Sequence, residues 1–153
     1  MNYIKNYFKS KGRGYFVALG AAVLAIISVI IYSAGFGADF PQYFSAAPVW
    51  LPILGIVGFL ALSVHKLTAP YAPVFMWLLT FIALLLYVDA VYMYLTEVFY
   101  SGVNDETLAM LDGSFVAGTV FYALSAVCGN VAIWLRQLKK QPEINPEAEE
   151  VTV

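Results

Sequence analysis

The sequence predicts an all-α integral membrane protein, a four-helix antiparallel bundle with both ends in the cytoplasm. Three observations predict it. Hydrophobic residues make up 61% of the chain and charged residues only 12%, about half the charged share of a soluble domain; a chain of 153 residues can hide so much apolar surface only in lipid. Four uncharged stretches, residues 14–38, 40–64, 67–88 with a continuation to 96, and 113–135, each suffice for one crossing of roughly 20 residues and none for two. All 8 lysines and arginines fall on one side once the helices alternate.

The first element is a basic flank, residues 1–13, in which Lys5, Lys9, Lys11 and Arg13 alternate with Tyr3, Ile4, Tyr7 and Phe8. It reads either as an interfacial helix on the inner leaflet or as a solvated topology signal. The transmembrane domain follows over residues 14–137. Its first helix is expected at about residues 15–34. Its apolar run exceeds the roughly 7–15 residues of a cleaved signal core, so it counts as a span.

An aromatic link comes next, with Phe36, Phe40, Tyr43, Phe44 and then Trp50. Such rings settle at headgroup level, so the link reads as an interfacial anchor that can lie flat on the membrane as a short helix, with a ligand-binding lid as the alternative. The second helix is expected at 49–66, with Pro48 and Pro52 in its first turns, where a missing N–H costs little. The third, at 71–100, opens with Pro70 and Pro73 and pairs with the second as a hairpin across a short link. The fourth, at 112–137, has Asp112 or Ser114 as a cap. Residues 138–153, rich in Glu and Pro, form an acidic cytoplasmic tail expected to be disordered.

Orientation rests on charge. Lys5, Lys9, Lys11 and Arg13 precede the first helix, Lys66 ends the second, and Arg136, Lys139 and Lys140 follow the fourth. The opposite side carries only Asp39, Glu97, Asp105, Glu106 and Asp112. Basic residues stay in the cytoplasm, so the chain is expected to be a multi-pass protein of the plasma (inner) membrane. A net charge of −2, with no basic groove-filling segment, points away from nucleic acid. The single cysteine, Cys128, permits no internal disulfide and reads as a small packing residue.

Lipid tails are as apolar as leucine, so close packing at small residues must hold the helices together. The first helix presents Gly14, Ala18, Ala22 and Ala25; the second Gly55, Gly58 and Ala61; the fourth Ser114, Gly118, Ser125 and Gly129. These stripes suit the inside of a monomeric bundle and also the seam of a dimer.

Chemistry-bearing residues are few. The one histidine, His65, has no ligand or nucleophile at a useful spacing, and neither a metal site nor a cofactor is expected. Asp89 stands out, embedded in Leu84–Leu85–Leu86–Tyr87–Val88 and Ala90–Val91–Tyr92. A carboxylate at the centre of a span costs about 2.5–3.5 kcal/mol on insertion scales. At ~1.5 Å per residue Asp89 lies ~25 Å along its helix, in the outer half. Tyr92 and Thr96 share its face through spacings of three and seven. Ser28 and Tyr32 of the first helix and Thr119 and Tyr122 of the fourth are expected at similar depth. A polar layer in which tyrosine or serine hydroxyls bond Asp89 is therefore expected. Three readings stay open for it: a structural carboxyl, a proton- or cation-coupling site, and a ligand anchor open to the outside. Asn130 is expected to bond between helices.

The run Lys9-Ser10-Lys11-Gly12-Arg13-Gly14-Tyr15-Phe16, leading into an alanine-rich helix, resembles a group of small four-span membrane proteins of low-GC Gram-positive bacteria. That resemblance implies a four-span layout in a bacterial plasma membrane and carries over no functional residue. The layout is also similar to small multidrug transporters, whose first helix holds an essential acid; here the first helix holds none. The expected role is that of a non-enzymatic accessory or interaction partner of another membrane component, with the bilayer and a second membrane protein or a second copy as partners. The alternative is a small proton- or cation-coupled transporter or channel using Asp89.

Overall fold

The first, second and fourth helices bury seams rich in small residues, the third buries a stripe that includes Tyr87, Val91, Tyr94 and Val98, and all four turn large apolar side chains outward. On α1 the seam runs through Ala18, Ala21, Ala22, Ala25, Ser28 and Tyr32. Outward stand Trp50, Val57, Leu85 and Val127, each more than half exposed. Water would not tolerate such a surface around the whole molecule; lipid does.

The computed structural model describes residues 7–39, 41–100, 102 and 113–138. Among them there is no strand, only one isolated bridge between Lys11 and Leu138. Four helices are long and apolar enough to cross a membrane: α1 (Arg13–Asp39), α2 (Ala47–Val64), α3 (Ala72–Tyr100) and α4 (Gly113–Trp134). The expected caps Asp112 and Ser114 (its side chain), the acidic stretch 139–153 and the start of the basic flank lie outside the described residues.

α1 runs farther than expected. It is α-helical over Arg13–Ile31, passes through a π-helical turn at Tyr32–Phe36, and closes with Gly37–Asp39. A π turn inserts one residue into the helical repeat. Tyr32 and Phe36, at its two ends, are both buried, their rings stacked 5.7 Å apart. The link after α1 corrects a second expectation: residues 41–46 form turns and not a helix lying flat. Phe44 stacks on Tyr32 at 5.2 Å and Tyr43 meets Tyr94 edge-on at 5.8 Å. Both rings rest on the helix tips, with Tyr43 half-buried and Phe44 still exposed. Phe40 lies outside the described residues, and Trp50 points outward.

α2 holds Pro52 inside it. Proline has no N–H, so the Pro48 carbonyl one turn earlier loses its helical partner. The Tyr122 hydroxyl of α4 donates to that carbonyl at 2.6 Å. α2 stops at Val64 because Thr68 Oγ1 donates to the Leu62 carbonyl at 2.6 Å, while the N–H groups of Thr68 and Ala69 turn back to the His65 carbonyl at 3.2 and 2.9 Å. α4 stops at Trp134, short of Gln137, for a related reason. The Gln137 amide donates to the carbonyls of Ala132 and Leu135 at 2.6 and 2.9 Å.

α1 packs most extensively on α4, and α2 on α3; contacts of α3 with α4 join the two pairs. The small residues lie at these seams. A Cβ on Gly14 would strike the Gln137 side chain and the Leu135 carbonyl, one on Gly55 would stand 3.2 Å from the Met76 carbonyl, and one on Gly129 3.2 Å from the Trp77 ring. Gly118 lies under Ile31 and the Tyr87 hydroxyl, and Ser125 Oγ donates across to the Ala21 carbonyl at 2.9 Å. Gly58 faces the Phe75 ring, and Ala61 is exposed.

Candidate functional site

The interior is built from tyrosines, and their hydroxyls are committed. Tyr87 and Tyr122 stack at 4.9 Å, with Tyr32 edge-on to Tyr87 at 5.3 Å. Tyr32 Oη accepts from the Ser45 N–H at 2.9 Å, which ties the link to α1. Tyr87 Oη and Thr119 Oγ1 share a hydrogen bond of 2.9 Å, and Thr119 also donates to the Phe115 carbonyl at 2.9 Å. Ser28 Oγ donates within its own helix, to the Ala25 carbonyl at 2.8 Å. In lipid each of these groups must find a partner inside the protein. Two buried atoms do not: the Thr80 hydroxyl and the Gln137 amide oxygen have no hydrogen-bond partner among the described residues.

Asp89 is not part of this network. The structure brings Ser28, Tyr32, Thr119 and Tyr122 into the interior, but Asp89, Tyr92 and Thr96 lie on the opposite, exposed face of α3. The expected layer of hydroxyls around Asp89 is therefore corrected. The cause is helical phase. Ala83, Tyr87, Val91, Tyr94 and Val98 form the buried stripe of α3, and a residue two positions from both Tyr87 and Val91 points away from it. Thr96 spends its hydroxyl on the Tyr92 carbonyl at 2.8 Å. Among the described residues Asp89 has no hydrogen bond and no ion pair. Asn130 is likewise exposed on α4 and does not bridge helices.

Asp89 instead lines a pocket of about 510 Å³ between α3 and the link. Gln42, Tyr43 and Ser45 form the wall from the link; Leu86 and Met93 flank the carboxylate on α3. The link enters α2 at Ala47, so Asp89 stands level with the start of that helix. An 18-residue α2 is about 27 Å long at 1.5 Å per residue, close to the hydrocarbon thickness of about 30 Å. Asp89 thus lies level with one end of an apolar helix of about that length, where carboxylate, amide and phenol meet alkyl groups.

A second polar cluster gathers at the other end. Lys11 is 3% exposed. Its ammonium donates to the Ser63 carbonyl and lies over the rings of Tyr7 and Tyr15, 4.3 and 5.1 Å from their centroids. Tyr7 Oη bonds Ser63 Oγ at 2.7 Å. Burial pushes the Tyr7 phenol up, but bonds with Ser63, Tyr15 and Lys11 and the Lys11 charge bring it below its ordinary value of 10.0. Beside it the N–H groups of Gly12 and Gly14 donate to the carbonyls of Gln137 and Arg136 at 2.8 and 3.0 Å.

Charge alone marked Lys11 as an orientation signal; the structure makes it a buried cross-link between α1 and the end of α2. The readable trace was the interleaving of Lys with Tyr and Gly in residues 7–15. Among the described residues no three His, Cys, Asp or Glu side chains stand together as a metal site requires. His65 is exposed at the end of α2, and Cys128 packs against the cluster of Tyr15, Phe59 and Met76.

Compared with known proteins, the chain matches no family model, no curated protein and no solved structure.

Proposed function

We propose that the chain crosses the plasma membrane four times as an antiparallel bundle with both termini in the cytoplasm. In this reading it acts without catalysis, as an accessory or interaction partner of another membrane component. Orientation is supported by Lys11, Arg13, Lys66 and Arg136, which gather at the end where the Lys11–Leu138 bridge and the α2–α3 turn meet. Basic residues are retained on the cytoplasmic side.

One observation carries the functional reading. Stacked rings and committed hydroxyls fill the interior, while the uncommitted carboxylate of Asp89 faces outward. Interaction through the small-residue stripes is disfavoured, since Gly14, Ala18, Ala22, Gly55, Gly118, Ser125 and Gly129 are used inside the bundle. The surface left for a partner is the Asp89 wall with the link beside it.

Photocrosslinkers at Met93, on this wall, and at Val127, on the outer face of α4, test the reading in native membranes. A discrete adduct from Met93, weakened by Leu86→Trp and absent from Val127, is expected; equal labelling from both positions overturns it. An ion flux abolished by Asp89→Asn at unchanged expression would replace it with the transporter reading. A cysteine at Lys66 labelled by an impermeant reagent outside intact cells would overturn the topology.

A further inference from the structure

We propose that the pocket beside Asp89 binds the ammonium head of a membrane lipid in the leaflet remote from the termini. The proposal rests on the membrane reading above and names the component that the Asp89 wall takes. It starts from charge. The carboxylate faces outward without a counter-ion among the described residues, and a carboxylate at the edge of the hydrocarbon requires a partner. The described residues supply none. The chain's lysines and arginines lie at positions 5 to 13, at 66 and at 136 to 140, none of them within α1, α2, α3 or α4 beyond the first residue of α1. A second copy carries its cations at the same end and fails for the same reason. A cation that pairs with Asp89 would therefore come from another molecule.

The shape of the site favours a lipid over a basic side chain on a partner helix. Helices approach closely where small residues face outward, but the wall around Asp89 presents Leu85, Leu86, Tyr92 and Met93. Ala90, the small residue beside Asp89, is 9% exposed. The pocket, at about 510 Å³, falls in the range that takes a small molecule, and a flexible lipid can enter from the side. An ammonium group would meet the Asp89 carboxylate, the Gln42 amide oxygen and the Tyr43 ring, a set of partners suited to a cation. Leu86 and Met93 would take the first methylenes of the chains. Among the described residues no lysine or arginine lines the pocket to hold a phosphate, so an anionic lipid lacking an amine has little to gain there.

The test uses the full chain in nanodiscs of phosphatidylglycerol containing a minor share of phosphatidylethanolamine. Lipids retained after mild extraction are counted by native mass spectrometry. The wild type is expected to retain phosphatidylethanolamine selectively. Asp89→Asn should lose that selectivity at least about tenfold, the worth of a charge-assisted hydrogen bond. Gln42→Ala should weaken it by a smaller factor. Asp89 is exposed and unbonded, so Asp89→Asn should keep the wild-type helix content and melting point.

Equal retention by the wild type and Asp89→Asn, or a preference for phosphatidylglycerol, overturns the proposal. Failure to retain phosphatidylethanolamine, together with a Met93 crosslink to a basic residue of another protein, also overturns it while leaving the accessory reading intact.

Discussion

The Tyr122 hydroxyl takes the place of the N–H that Pro52 lacks, donating at 2.6 Å to the Pro48 carbonyl. A proline within a span is tolerated when a neighbouring helix satisfies the freed carbonyl. Tyr122→Phe should therefore destabilise the protein by about 1–2 kcal/mol. Pro52→Ala restores a donor one turn after Pro48. Combined with Tyr122→Phe it should cost clearly less than the sum of the two changes. Reversible unfolding in mixed detergent micelles measures all three variants, and strict additivity would show that the two residues act independently.

Glycine substitutions should divide by position. A Cβ at Gly55 would press on the Met76 carbonyl and Leu79 at 3.2 and 3.3 Å, whereas one at Gly20 meets nothing within 4 Å. Gly55→Leu is expected to lower stability by about 2 kcal/mol or more through overpacking. Gly20→Ala should be neutral or stabilise by up to about 1 kcal/mol through helix propensity. The same unfolding assay decides, and equal effects at the two sites would show that the α2–α3 seam does not need close approach.

Thr80 offers a stabilising change. Its buried hydroxyl has no partner among the described residues, and an unsatisfied buried hydroxyl costs about 1–3 kcal/mol. Thr80→Val keeps the shape and removes the polar atom. Its melting point should equal or exceed that of the wild type. A loss of more than about 1 kcal/mol would reveal a partner for this oxygen.

The Tyr7 phenol gives a pH dependence. Its pKa in the folded protein lies below 10.0, so the fold favours the phenolate more than the unfolded chain does. This contribution to stability is present above the ordinary value and is lost as pH falls through the lowered folded value. Absorbance titration should show one tyrosine ionising earlier than an ordinary phenol, and Tyr7→Phe should remove that component. Lys11→Met should move it upward, because bonding to the ammonium and its charge both favour the phenolate. An unchanged titration in Lys11→Met would separate the two residues.

The four apolar helices were legible because a crossing needs only length and the absence of charge, both of which a sequence displays. The direction in which each helix faces was not. Inside lipid, Leu85 and Met93 on the outside are as apolar as Val91 and Val98 on the inside, so hydropathy does not distinguish the two. Asp89, Tyr92 and Thr96 do share a face, as their spacing implied, yet nothing in that spacing says whether the face looks inward or outward. The insertion cost of a carboxylate led to an expected layer of hydroxyls around Asp89, whereas the structure turns that face outward. The tyrosine interior escaped notice because a phenol reads equally well as an interfacial anchor. The role of Tyr122 had a trace in Pro52, whose missing N–H announces a carbonyl that another helix must satisfy.

The contacts of Lys11, Gly12 and Gly14 have a consequence for biosynthesis. The first of these residues to leave the ribosome reach partners at Ser63 and then at Arg136 and Gln137, the last of which is made only after all four helices. The Lys11 contact can therefore form once α2 is made, whereas the contacts of Gly12 and Gly14 can close only after residues 136 and 137 have been made. A nascent chain stopped before position 136 would lack the partners of Gly12 and Gly14 while already holding the Ser63 partner of Lys11.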